Sequence, residues 1–247
     1  VKAASDDQLQ LLDLQGLDLS LGRLAHRRDT LPEHGEITLL STRLDTVSDD
    51  IVRGETEDSD LGREQARVDA DVELVRSRMT RDQQRLDTGN VGSPRELENL
   101  ASEVQSLHRR QSDLEDAELE VMERREVVQM QLAKLREEQT ELRISIGDAE
   151  TRRDTAYAEI DAEIRTLTHN RTETREALPS DLLALYDKLR ASSAGIGAAA
   201  LHRGRCEGCH LQLNTTDLNR LRDAPDDEVL RCEECRRILI RTDESGL

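Results

Sequence analysis

The side chains best suited to chemistry are gathered in one short stretch of the chain. Cys206 and Cys209 bracket Glu-Gly, Cys232 and Cys235 bracket Glu-Glu, and no other cysteine occurs in the 247 residues. Taken alone, Cys206-x-x-Cys209-His210 admits three chemistries: haem attachment, a redox dithiol, or half of a zinc site. Haem attachment would leave Cys232 and Cys235 without a purpose. It would also need an axial partner, and Met79, Met122 and Met130 all fall in heptad-patterned segments far upstream. A redox dithiol sits among alternating strands and helices, which neither pair has. Two Cys-x-x-Cys pairs separated by 22 residues, in contrast, supply the four thiolates of a tetrahedral structural zinc site. The sequence therefore predicts one Zn2+ held by Cys206, Cys209, Cys232 and Cys235. Four protein ligands leave no open position for water or substrate, which argues against a zinc hydrolase.

The elements that must present these knuckles are short. AAALHR, EVLR and ILIR read as strands and TTDLNRLR as a short helix, a zinc ribbon spanning 198–247. Few apolar residues lie within it, so its folding is expected to depend on metal. His210, Arg203, Arg205, Arg231, Arg236 and Arg237 form a candidate contact surface for nucleic acid or a protein partner, with Arg220, Arg222 and Arg241 nearby. At least as many acids, including Glu207, Asp226, Glu233 and Glu234, and the lack of aromatic stacking residues in the module argue against a nucleic-acid groove. His210 is expected as an exposed neighbour of the site. Upstream, 179–197 reads as a short helix, SDLLALYDKLRA, capped by Ser180, followed by a mobile connector of small residues. Pro179 ends whatever precedes it.

Most of the chain is a different kind of object. From Leu97, alternating steps of three and four residues meet Leu100, Val104, Leu107, Leu114, Val121, Val128, Leu132, Leu135, Leu142, Ala149 and Ile160 without a slip of phase as far as Leu167. Ile37 to Leu86 repeats the pattern, and upstream Leu14, Leu17, Leu21, Leu24, Arg28 and Leu31 continue the same step in a different phase. Such sustained heptads are the signature of a left-handed coiled coil. Gln111, Glu118, Arg125, Gln139 and Arg153 interrupt the seam and are expected to tune register or loosen the pair. Between the two arms, Gly89, Asn90 and Gly92 form turns, and Ser93, Pro94 and Glu96 supply an N-cap, a proline at the first helical position and a capping-box acid. The fold class is thus mainly α: an antiparallel coiled-coil hairpin over 1–178, with its tip near 87–94 and each arm on the order of 120 Å long. Pro32 and Gly35 predict a kink or short interruption near 32–36.

Composition agrees. Charged residues make up 36% of the chain and aromatics 1%, too little bulk for a thick globular core and suited to a thin seam. The net charge of −18 repels phosphate backbones and anionic lipid, so nucleic-acid binding would need a local basic patch. No apolar run reaches membrane-spanning length and the N-terminus lacks the basic, apolar, small-residue order of a signal peptide, so a cytoplasmic protein is expected. In a reducing compartment the clustered cysteines point to metal rather than disulfides. Heptad arms can pair within or between chains, which leaves the oligomeric state open.

The order of parts resembles the bacterial family of C4-type zinc ribbon domain proteins with a long helical hairpin. The matching pieces are SPRELENL at the tip, LEDAELEVMERRE on the second arm, LYDKLR before the connector, and RCEGCHLQL with LRCEECRRIL. The resemblance implies a non-enzymatic adaptor or chaperone-like protein with helical protein partners, among them sigma-factor or secretion-type components, and RNA for some members. One departure concerns the residue after each knuckle, often glycine in such ribbons but His210 and Arg236 here. A different local backbone is expected there, because glycine tolerates positive φ more readily.

Overall fold

The structure, a computed structural model, describes residues 1–247 except Asn90. Elements run in the order α1 (Ser5–Asp29), α2 (Pro32–Asp87), α3 (Pro94–Ala177), α4 (Ser180–Ser192), β1 (Ala198–His202), β2 (Arg205–Cys206), α5 (Thr215–Asp223) and β3 (Ile238–Ile240). The chain divides into two compact units, Gly35–Glu150 and the combination of Val1–His34 with Thr151–Leu247. The segments expected as connector and ribbon therefore share a unit with α1.

Gly35–Glu150 is an antiparallel pair of helical arms. Every buried aliphatic residue in it falls on the predicted seam: Val47, Ile51, Leu61 and Val72 on one arm, Val104, Leu107, Leu114, Val121, Val128, Leu132 and Ala149 on the other. Gly54 admits the Leu132 side chain so closely that an added Cβ would lie 2.8 Å from its Cδ2. Two of the polar seam residues, Arg125 and Gln139, bond across the hairpin, whereas Gln111 donates to Glu115 on its own helix. Arg125 donates to Asp58 at 3.0 Å and to Gln65 at 3.1 Å, and Gln139 donates to Ser48 at 3.0 Å. These bonds fix which turn of one arm faces which turn of the other, where an all-aliphatic seam could slide by a heptad. At the tip Ser93 Oγ accepts from the Glu96 amide at 3.3 Å, and the Glu96 carboxylate reaches back to the Gly92 amide at 3.0 Å. Asn90, expected in the same turn, lies outside the described residues.

The kink or short interruption expected near 32–36 is an interruption at Thr30 and Leu31, two residues earlier. α1 closes at Asp29, Thr30 Oγ1 donates to the His26 carbonyl at 2.7 Å, and Pro32 is the first residue of α2. A proline at the first helical position loses no intrahelical bond, so the chain restarts there instead of bending through it.

The other unit is built around a three-stranded sheet of order β2-β1-β3, with β1 antiparallel to β2 and parallel to β3. EVLR forms no regular strand and contributes two isolated bridges, Glu228 to Lys2 and Arg231 to Ile238. Successive strand residues face opposite sides. Ala198, Ile238 and Ile240 bury against Leu11 and Leu14 of α1 and Leu182, Tyr186 and Leu189 of α4. Ala199, Leu201 and Leu239 face the cysteine side with Leu213, Leu221 and Leu230. The sheet is thus covered on both sides, with more apolar burial than the ribbon sequence alone suggests.

Candidate metal centre

Each cysteine pair sits in the same backbone turn. The His210 amide donates to the Cys206 carbonyl at 2.8 Å and the Arg236 amide to the Cys232 carbonyl at 2.9 Å. The Cys206 and Cys232 amides in turn donate to the carbonyls of Leu211 and Arg237. Closing this turn requires the left-handed region, and His210 (φ 59°) and Arg236 (φ 64°) adopt it although neither is glycine. The departure from glycine therefore leaves the turn intact and places about 1–2 kcal/mol of backbone strain at each position.

The knuckles bring all four sulfurs within 4.8 Å of one another. Cys206 and Cys235 sulfurs lie 3.9 Å apart, as do those of Cys209 and Cys232. A tetrahedral ion with Zn–S bonds of about 2.3 Å requires sulfur separations of roughly 3.8 Å, so the cluster has the right size. Cys206 and Cys232 are buried and Cys209 and Cys235 half-buried.

The electrostatics fit a cation. Burial pushes the Cys206 thiol well above its ordinary value, and the amides of Gly208 and Cys209 oppose it only in part. Cys232 is likewise raised by burial, against the amides of Cys235 and Glu234. At Cys235 burial is outweighed by hydrogen bonds from the Arg237 amide and side chain, and the thiol is lowered. A bound cation inverts this logic and holds the sulfurs as thiolates, while the amides aimed at them stabilise that form.

The sequence singles out six residues around the site, and the structure assigns them unlike positions. His210 is exposed and is not part of the sulfur cluster. Arg203, Arg205, Arg231 and Arg236 are exposed; Arg231 Nε donates to the Arg236 carbonyl at 2.8 Å, and Arg236 meets Glu233 at 3.3 Å. Arg237 is not available as a contact residue. Its guanidinium donates to three backbone carbonyls, Ile196 at 3.1 Å, Ser193 at 3.1 Å and Gly208 at 3.0 Å. Its stem packs over Gly208, where an added Cβ would lie 2.8 Å from Arg237 Cδ. Arg241 is engaged in the same way, on the carbonyls of Leu221, Ala224 and Pro225.

The support of the centre includes residues that the heptad reading of α1 passed over. Gln15 accepts from the Gly197 amide at 2.7 Å and donates to the Gly195 carbonyl at 3.1 Å. Together with Arg237 it pins the segment expected as a mobile connector. Ser180 is not the cap of α4 but its first residue, and Pro179 holds the cap position without a side-chain bond. Asp18, its side chain 1% exposed, receives Arg171 Nε at 2.6 Å and the Tyr186 hydroxyl at 2.7 Å, with Arg190 Nε 3.0 Å away. The first residues also join the ribbon: the Ala3 amide donates to the Asp227 carbonyl, and Lys2 pairs with Asp227 at 2.8 Å.

Residues 14–194 match the model of the CT398-like coiled-coil hairpin domain, and residues 205–239 match that of the C4-type zinc ribbon domain. The chain belongs to the CT398-like hairpin family. A Mycobacterium tuberculosis protein, Rv2229c, is 34% identical over 98% of both chains, and a Mycobacterium leprae protein, ML1638, is 28% identical over 88% of this chain and 93% of its own. A solved Mycobacterium smegmatis structure is 31% identical, covers 98% of this chain and all of its own, and superposes with a TM-score of 0.86. CT398 from Chlamydia trachomatis shares the fold at 20% identity with a TM-score of 0.70, over 96% of this chain and 98% of its own. For a CT398-like hairpin protein carrying this ribbon, the four clustered cysteines suggest a zinc ion.

Proposed function

We propose that the chain is a non-enzymatic, cytoplasmic adaptor or chaperone-like protein that engages helical protein partners through its hairpin and ribbon and binds one structural zinc ion. The observation that carries the reading is the outward face of α3. Leu119, Met122, Val127 and Met130 stand 43–57% exposed there, with Leu119 and Met130 in line about three turns apart. Exposed apolar side chains that run together along a helix mark an interaction face, and methionines adapt to more than one partner surface.

The ribbon supports the same reading. Cys206, Cys209, Cys232 and Cys235 fill a tetrahedron, so the metal crosslinks two knuckles and has no free position for a substrate. Nucleic-acid binding has less support, because Arg237 and Arg241 are spent on carbonyls and Arg220 and Arg236 both pair with Glu233. The test is photo-crosslinking in the source cells from a reactive side chain placed at Met122 or Met130, compared with one at exposed Glu98. Discrete protein adducts from the first two positions and none from the third are expected. Adducts to RNA or DNA alone would overturn the adaptor reading.

A further inference from the structure

α1 turns a second, very different surface outward. Leu19, Gly22, Arg23, His26 and Arg27 share one face of the helix, and with Arg190, Ala194 and Gly195 they line an open cleft of about 630 Å³. Its floor is apolar and shallow. Leu19 is 38% exposed, and an added Cβ on Gly22 would meet nothing within 4 Å. Its rim is cationic. Arg23 is held only by Ser20 Oγ at 2.9 Å, and neither Arg23 nor Arg27 has a carboxylate within ion-pair distance among the described residues, whereas the next cation, Arg28, is paired with Asp161. The one acid in the lining, Asp18, is covered and already flanked by Arg171 and Arg190.

Cations at a helix C-terminus have an ordinary use, since they complement the macrodipole. That accounts for Arg27 but not for an exposed leucine and an open glycine on the same face. A glycine in the middle of a helix face costs about 0.5–1 kcal/mol relative to alanine, and what it provides is close backbone approach. From Asp18 to Thr30 the trough runs about 18 Å at the helical rise, the length of three turns of a partner helix.

We propose that this trough docks an amphipathic helix of a partner protein that carries small apolar residues on one face and carboxylates along its flanks. The apolar residues lie over Leu19 and Gly22, and the carboxylates reach Arg23, Arg27 and Arg190, the helix-in-groove mode of recognition. The mostly apolar floor favours such a helix over a phosphate polymer, whose contacts would be charge alone. The inference rests on the adaptor reading and names the partner's chemistry. It is read on the purified chain, so its failure leaves the crosslinking result standing, and the reverse.

The probe is a stapled helical peptide of about 15 residues, since unstapled helices of that length are marginal in water, with alanine and leucine on one face and glutamates flanking it. Its counterpart replaces every glutamate by lysine. Calorimetry on the zinc-loaded full chain should show saturable binding of the acidic peptide below about 100 µM. Combined Arg23→Gln and Arg27→Gln should weaken it at least tenfold, and Gly22→Leu, which fills open space and leaves the fold in place, should abolish it. Circular dichroism and zinc content confirm that each variant is folded. The proposal is overturned if the acidic peptide fails to saturate by about 1 mM, if the lysine peptide binds equally, if either variant retains full affinity, or if a single-stranded RNA of similar length binds the trough more tightly.

Discussion

Replacing Arg237 by methionine should loosen the whole ribbon, whereas the same change at its neighbour Arg236 should do almost nothing. Arg237 is half-buried and donates three hydrogen bonds, to the carbonyls of Ser193, Ile196 and Gly208. A hydrogen bond from a charged donor is worth about 1.5–3 kcal/mol. Discounting by half for the exposed part of the group, three such bonds come to about 3 kcal/mol. Methionine keeps the stem over Gly208, so the loss isolates the guanidinium. Arg236 is exposed and meets only Glu233 at 3.3 Å, an interaction worth about 0.5 kcal/mol or less.

The assay is native-state hydrogen exchange with zinc saturating, followed at the Ala198 and Ile238 amides, which bond to Gln15 and to the Gly197 carbonyl inside this lattice. A loss of about 3 kcal/mol makes local opening roughly a hundredfold more frequent. Arg237→Lys should recover at most one of the three bonds, because an ammonium lacks the fork geometry. The reasoning is refuted if Arg237→Met and Arg236→Met exchange alike. It is also refuted if Arg237→Lys matches the parent, which would mean that only a positive charge near Cys235 matters.

Two further outcomes follow from single observations. His210→Gly and Arg236→Gly relieve left-handed strain of about 1–2 kcal/mol, less about 0.5–1 kcal/mol for the freer unfolded glycine, so each should raise ribbon stability by about 0.5 kcal/mol in chelator-competition unfolding; destabilisation by both would show that the positive φ values carry no strain. Glu118 is raised above its ordinary value by its hydrogen bond to Asp69, then by burial and by repulsion from Asp69 and Glu115. A carboxyl with a raised folded value contributes stability that is full below its unfolded value and is lost as pH rises through the folded one. Urea unfolding of the parent between about pH 4 and pH 7 should therefore show a loss that Glu118→Gln removes, and an unchanged slope in the variant would discard the Glu118–Asp69 account.

How much of this was legible in the sequence depends on the kind of interaction. The seam was readable because burial against a second helix recurs with a fixed period, and every aliphatic position buried between the hairpin arms obeys it. The four cysteines were readable because metal geometry demands a ligand spacing that few other structures need. The ends of the rule appear in α1. Stepping by heptads placed Leu17 and Leu21 on the buried face, yet both are half-exposed, and Gln8, Gln15 and Asp18 are buried instead. The reason is a change of partner. Near its start α1 packs on the sheet and α4, and that surface presents the free amides of Gly197 and Ala198 and the Tyr186 hydroxyl, groups that require polar side chains opposite.

Arg237 shows the same limit at one residue. Arg-Arg in a charged ribbon reads as surface, and nothing in the spacing distinguishes Arg236 from Arg237. What separates them is strand direction. β3 follows immediately, so alternation turns one arginine toward the connector's carbonyls and leaves the other in solvent. Periodicity can locate apolar burial because every seam residue repeats the same contact. A polar clamp is used once, by one residue, against backbone groups contributed from 41 and 44 positions away, and it becomes visible only when those groups are placed. The α1 trough is hidden in the sequence for the same reason. Leu19, Gly22, Arg23 and Arg27 belong to no repeat, and their common face acquires meaning only once Arg190 and Gly195 line the same cleft.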